Sequence, residues 1–191
     1  MRQNTHRGKG GLFKSRSRRY NVWADESLLF HLWVDGEPVP WCVPKVARFG
    51  GEVPTPRRVA MKGWQAAIVK TVEYHRTEAP FRMASFDPLD GPLSCRLFFI
   101  LPRPKSRKKS EVWAETKADL DNLCKAVHDA LQRCGVMTND SRIVELHAAK
   151  AWTPHSGPNV MPSGVRIEIR RPPATFEDTY VRNERSRTWG E

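Results

Sequence analysis

Leu93–Leu101 (LSCRLFFIL) restricts the fold more than any other segment, because it is an apolar run of strand length closed by Pro92 on one side and Pro102 on the other. It is too short for most buried helices, and the flanking prolines stop it from extending, so it is assigned to a central strand. Residues 28–34 (LLFHLWV) run into Asp35-Gly36 and read as a strand entering a turn. Residues 142–152 (RIVELHAAKAW) and Gly164–Arg170 (GVRIEIR) alternate in apolarity, and the Pro and Gly residues between them suit a loop joining two antiparallel strands.

Two segments carry a helical period. From Val59, apolar positions recur at Ala60, Trp64, Ala67, Ile68, Thr71 and Val72, which predicts a helix ending near Arg76. Leu120, Leu123, Cys124, Val127, Ala130, Leu131 and Cys134 share one sector of a second helix over 119–134, with Gly135 as its stop. Five prolines (38, 40, 44, 54, 56) and the Gly50-Gly51 pair make residues 38–56 a long loop. The element order is therefore strand, helix, strand, helix, strand, strand.

A chain of 191 residues accommodates one domain with tails. Residues 1–20 hold seven Lys or Arg and no acid, which predicts a disordered basic arm over 1–24. The domain is placed at 25–172. An appendage follows over 173–191, where periodicity is lost, although Phe176, Tyr180 and Trp189 are candidates to dock. Lys and Arg outnumber Asp and Glu by 32 to 21, a formal charge of +11, so the expected partner is a polyanion, nucleic acid before anionic membrane. No stretch of about 18 apolar residues appears, and no apolar segment of a secretory signal follows the charged start. A cytoplasmic location, without membrane attachment, is expected. Cys42, Cys95, Cys124 and Cys134 lack the spacing of a zinc or redox pair and are read as reduced thiols.

The chemistry gathers in Lys117-Ala118-Asp119-Leu120-Asp121-Asn122-Leu123-Cys124-Lys125 and in Asn139-Asp140-Ser141. Inside a helix, residues two apart point about 200° from one another, so Asp119 is expected at the helix entrance and Asp121 in its first turn. Lys125 follows on the face of Asp121, and that face continues through His128 and Gln132 as a polar stripe. With Asp140 in the turn beyond Gly135, three carboxylates are expected to gather near the helix start. Such a group repels itself unless a cation lies within it, and hard oxygen donors suit Mg2+ or Mn2+ rather than zinc.

The run Asp119-Leu-Asp-Asn-Leu-x-Lys-Ala126, followed by Asp129-Ala130-Leu131, Gly135, Asp140 and Lys150, resembles the RusA family of crossover-junction endodeoxyribonucleases. The likeness spans about residues 28–170 and is sharp from 117 to 150. It implies an α+β subunit, here with a mixed four-stranded sheet and two main helices, that works as a homodimer. Its substrate would be the four-way (Holliday) junction, nicked symmetrically with Mg2+ or Mn2+ in DNA recombination and repair. By motif, Asp119, Asp121 and Asp140 take the metal-binding positions, Lys125 takes that of the catalytic lysine, and Lys150 matches a lysine on the third strand. The family's occurrence in phages and prophages implies a bacterial or phage-infected cell, with the protein at the nucleoid. Lys105, Arg107, Lys108, Lys109, Lys117 and Lys150 are the candidate DNA contacts.

Each of these residues also has an ordinary role open to it. Asp121 with Lys125 is by default a surface ion pair, Asp119 a helix cap, Asp140 a turn residue and the 105–109 charges a solvated loop. His128 is read as a solvated helix residue rather than a ligand. Trp41 and Trp113 are candidates to reach DNA, although tryptophans are more often core anchors. Two rival functions remain: a noncatalytic nucleic-acid-binding protein, and a metal nuclease that prefers flaps or other branched DNA.

Overall fold

The computed structural model describes residues 27–78, 87–115, 118–154 and 161–174. The expected basic arm, the appendage beyond Ala174, and Lys117 lie outside the described residues. The elements run β1 (Leu28–Asp35), β2 (Lys45–Val46), β3 (Glu52–Val53), α1 (Pro56–Glu78), β4 (Leu93–Leu101) and α2 (Leu120–Arg133). A 3-10 turn (Asp140–Arg142), β5 (Ile143–Trp152) and β6 (Gly164–Arg170) complete the order. This is one α+β domain, with two helices against a mixed four-stranded sheet ordered β1-β6-β4-β5.

The Pro-bounded run is the central strand, paired antiparallel with β6 and parallel with β5. β5 and β6 do run in opposite directions, but β4 lies between them, so the loop at 154–164 does not close a hairpin. The 38–56 loop contains the small β2–β3 ribbon, which was not expected. α1 begins at Pro56, three residues before the period shows. Thr55 Oγ1 accepts from the Arg58 amide at 3.2 Å, and Pro56 occupies the first helical position, where no N–H is needed.

The core lies between one sheet face and the two helices. Phe30, Leu32 and Val34 of β1, Leu97 and Phe99 of β4, and Val165, Ile167 and Ile169 of β6 meet Trp64, Ile68 and Val72 of α1 and Leu123, Val127 and Leu131 of α2. That alternation in the strands and three-to-four spacing in the helices is the two-layer solution for amphipathic elements. All four cysteines are free thiols, and burial pushes Cys95 up to about 12 and Cys124 to about 11.

α1 fixes the position of α2 by polar contacts. The buried Gln65 amide donates to the Ala126 carbonyl at 3.2 Å and accepts from Arg133 at 3.1 Å. Arg76 donates to the carbonyls of Cys134 at 2.6 Å and Gly135 at 2.9 Å, putting a cation at the negative end of the helix. Gly135, at φ +68°, completes the stop: its amide bonds Gln132 and that of Val136 bonds Leu131. Arg76→Met is expected to lower stability by about 1–2 kcal/mol, read from urea unfolding.

On the outer face of β6, Glu168 is buried between Arg166 and Arg170 and bonded to both. Burial pushes its carboxyl up, but the two guanidinium groups outweigh burial and hold it below the usual range. A depressed folded pKa stabilises above the unfolded value and ceases to do so as pH falls through the folded one. Glu168→Gln is thus expected to cost about 1 kcal/mol near pH 7, allowing for solvent screening, with the difference vanishing under acid titration through the carboxylate range.

Candidate active site

Asp119 stands at the N-cap of α2 with extended backbone angles (φ −58°, ψ 136°), as expected, yet its side chain makes no capping hydrogen bond. A capping Asp ordinarily contributes about 1 kcal/mol, so this carboxylate forgoes an available local role. Asp121 lies exposed in the first turn. The default ion pair with Lys125 is not what forms: the Lys125 ammonium pairs with Asp129 at 3.6 Å and lies 5.2 Å from the centre of the Trp41 ring. At the far turn, Asn139 rather than Asp140 does the local work, its side chain accepting from the Ser141 amide at 2.8 Å. Three carboxylates with ordinary roles to hand therefore leave those roles to other groups or unfilled.

Their gathering at the helix start does not occur within one chain. Among the described residues, no three His, Cys, Asp or Glu side chains form a group able to hold a metal. The reason is the path of the chain. β4 and β5 are parallel, so α2 must carry the backbone from the end of β4 back to its beginning. Ala118 is tied to Lys150, near the end of β5, whereas Asp140 sits just ahead of Ile143, which pairs with Leu93 at the start of β4. A helix of 14 residues lies between, about 21 Å of rise.

The stripe on α2 links the two ends. Asp121 lies close enough to Cys124 to help raise its thiol pKa after burial, and Asp140 acts on His128 further along. His128 is not solvated as expected. Its ring is half-buried with Nε2 3.8 Å from Cys95 Sγ, and burial lowers its pKa against the opposing pull of Asp140 and Asp129.

On the other side of the α2 entrance, an open groove is lined by Trp41, Lys45, Thr55, Arg57, Asp119 and Asn122. The Trp41 amide bonds the Asn122 carbonyl at 2.8 Å, which brings the proline-rich loop onto the helix start. The sequence offered Asn122 inside the acidic motif and Trp41 inside the loop, but no local signal joined them. Trp113 is exposed on a bridge to Ala151. In the basic loop, Lys105, Lys108 and Lys109 are exposed, whereas Arg107 is half-buried and paired with Glu111 at 3.3 Å and Glu115 at 3.5 Å.

Lys150 has a defined structural contact. Its ammonium donates to the Ala118 carbonyl at 2.8 Å, and Ala118, at φ +52°, occupies the left-handed region disfavoured for a residue with a Cβ. The contact holds the strained residue immediately before Asp119, so Lys150 positions that carboxylate. Lys150→Met is expected to cost about 1–2 kcal/mol of stability, and Ala118→Gly to recover part of it by removing the Cβ conflict. Chemical denaturation of the single and double variants checks this: Ala118→Gly should stabilise more in the Lys150→Met background than in wild type, and an equal gain in both would count against the coupling.

Residues 35–170 match the family model described as Endodeoxyribonuclease RusA. The chain is also similar to the crossover junction endodeoxyribonuclease RusA of Aquifex aeolicus (strain VF5). The two are 29% identical over 120 residues, covering 62% of this chain and 78% of that protein.

Proposed function

The chain belongs to the endodeoxyribonuclease RusA family, and from that premise we propose that it is a divalent-metal-dependent nuclease resolving four-way DNA junctions as a homodimer in recombination and repair. The observation that carries the reading is the set of uncommitted carboxylates on α2 and the following turn: Asp119 caps nothing, Asp121 is not paired with Lys125, and Asp140 leaves its turn to Asn139.

Their donor chemistry fits a hard cation such as Mg2+ or Mn2+, while a single chain does not close the cage. A second copy related by a twofold axis across the polar stripe of α2 resolves the mismatch. It would set Asp140 of one copy against Asp119 and Asp121 of the other, and give two equivalent sites. A twofold protein with two sites matches the symmetry of a four-way junction, cut on two strands.

When bound, the cation supplies an acidified water and offsets charge on the phosphodiester. The protein groups do the rest. Asp119, Asp121 and Asp140 hold and orient the ion. Lys125, directed by Trp41 and Asp129, offers a positive charge to the phosphate undergoing in-line displacement. Exposed Lys105, Lys108 and Lys109, with Lys117 and Arg107, would contact flanking phosphates, an affinity that is strong in charge and weak in sequence. Lys150 holds the Ala118 carbonyl immediately before Asp119 and remains a candidate phosphate contact.

Asp121→Asn and Asp140→Asn are each expected to abolish Mg2+-dependent nicking of a synthetic four-way junction while leaving junction binding intact. Mixing the two inactive proteins decides the arrangement. With free exchange about half the dimers are mixed, and in each of these one site has its full set of acids. Single-strand nicking should return. If the mixture stays inactive although subunits exchange, the shared site is wrong; if wild type binds junctions without cutting, the noncatalytic rival holds. Equal cutting of flaps or linear duplex would favour the broader nuclease.

A further inference from the structure

The β2–β3 ribbon is built to expose an aromatic side chain. Phe49 at its tip is 96% exposed, and Val43 and Val46 nearby are exposed at 72% and 70%. The tip is a closed turn: the Ala47 amide bonds the Gly51 carbonyl at 3.0 Å, the Gly50 amide bonds the Ala47 carbonyl at 3.0 Å, and both glycines have positive φ. Its base is clamped to α1, where Glu52 is bonded by Arg58 and by Lys62 at 2.9 Å, and Arg58 also donates to the Cys42 carbonyl at 3.0 Å. Exposing a Phe on a secured turn forgoes burial that folding would otherwise reward, and such clustered apolar exposure marks a contact surface.

Charge identifies the partner. Glu52 is neutralised by its two cations, leaving Lys45 and Arg48 as the ribbon's unbalanced charges. Arg48 lies 5.9 Å from the centre of the Phe49 ring, and Lys45 lines the groove that reaches Asp119 and Asn122. An aromatic face flanked by arginine and lysine is chemistry for stacking on a base while holding the adjoining phosphate. Within continuous duplex the faces of the bases are occupied by their neighbours; at a branch point a terminal base pair offers a free face.

We propose that Phe49 stacks on the exposed base-pair face at a DNA branch, with Arg48 and Lys45 on the adjoining phosphates, so that the ribbon selects branched DNA over duplex. This rests on the junction-cutting function proposed above, and supplies the selectivity that phosphate contacts lack.

The test is binding of a four-way junction and of a duplex of matching length, without divalent metal, by wild type, Phe49→Ala and Phe49→Trp. Phe49→Ala should lose about tenfold in junction affinity while its duplex affinity stays within about twofold. Phe49→Trp should keep the preference. A 2-aminopurine placed beside the branch should change its fluorescence with wild type and not with Phe49→Ala. If Phe49→Ala keeps the wild-type ratio of junction to duplex affinity, the inference is overturned while junction resolution stands. If Phe49→Ala instead dissociates the dimer in sedimentation, the tip is a subunit contact and the inference fails. If wild type itself shows no preference for the branch, the function proposed above fails and the inference with it.

Discussion

The parallel pairing of β4 and β5 is the constraint on which the rest of the molecule depends. Parallel neighbours cannot be joined by a tight turn, so the chain must return across the sheet, and α2 is that return. Its length sets the spacing between Asp119 and Asp140, and its buried sector supplies the larger part of the helical layer of the core. Its position is held by α1 through Gln65 near the middle and Arg76 at the carboxyl end. The candidate site residues of one chain are thus spaced apart by a single crossover rather than gathered in one cleft.

Energetics at this helix divide along functional lines. Where stability alone is served, the chain uses the local chemistry on offer: Gly135 ends α2, Arg76 bonds the carbonyls of Cys134 and Gly135 just past its end, and Thr55 caps α1. At the α2 entrance it does the opposite. The Asp119 carboxylate leaves the helix amides uncapped, and Ala118 is kept in a backbone conformation it disfavours. Lys150 offsets that conflict from a strand on which a lysine is half-buried. Among the described residues Ala118 is the one non-glycine at positive φ, and it stands immediately before these acids, where strain can serve a ligand better than it serves the fold.

Much of the architecture was legible because its signals are local. Pro92 and Pro102 bracket β4, the period of α2 runs from Leu120 to Leu131, and Gly135 marks its end. What escaped depends on contacts far apart in sequence. β5 and β6 look like a hairpin until β4 is seen between them. The β2 and β3 strands of two residues have no period to read. Pro56 reads as part of a proline-rich loop, although Thr55-Pro56 is a sound helix start. Asp119 and Asp121 are legible as an entrance pair, but the motif alone does not show that the 14 residues of α2 hold Asp140 apart from them. His128 looked solvated because nothing in its own helix reveals that Cys95 lies opposite.

The separation of acids along α2 also bears on control. If each cage is completed by a neighbouring copy, an isolated subunit carries two unfinished halves and no competent centre. Cutting power then rises steeply with abundance wherever association is weak, approaching the square of the subunit concentration. Isolated copies would then hold no complete centre, and activity would be gated by subunit encounter.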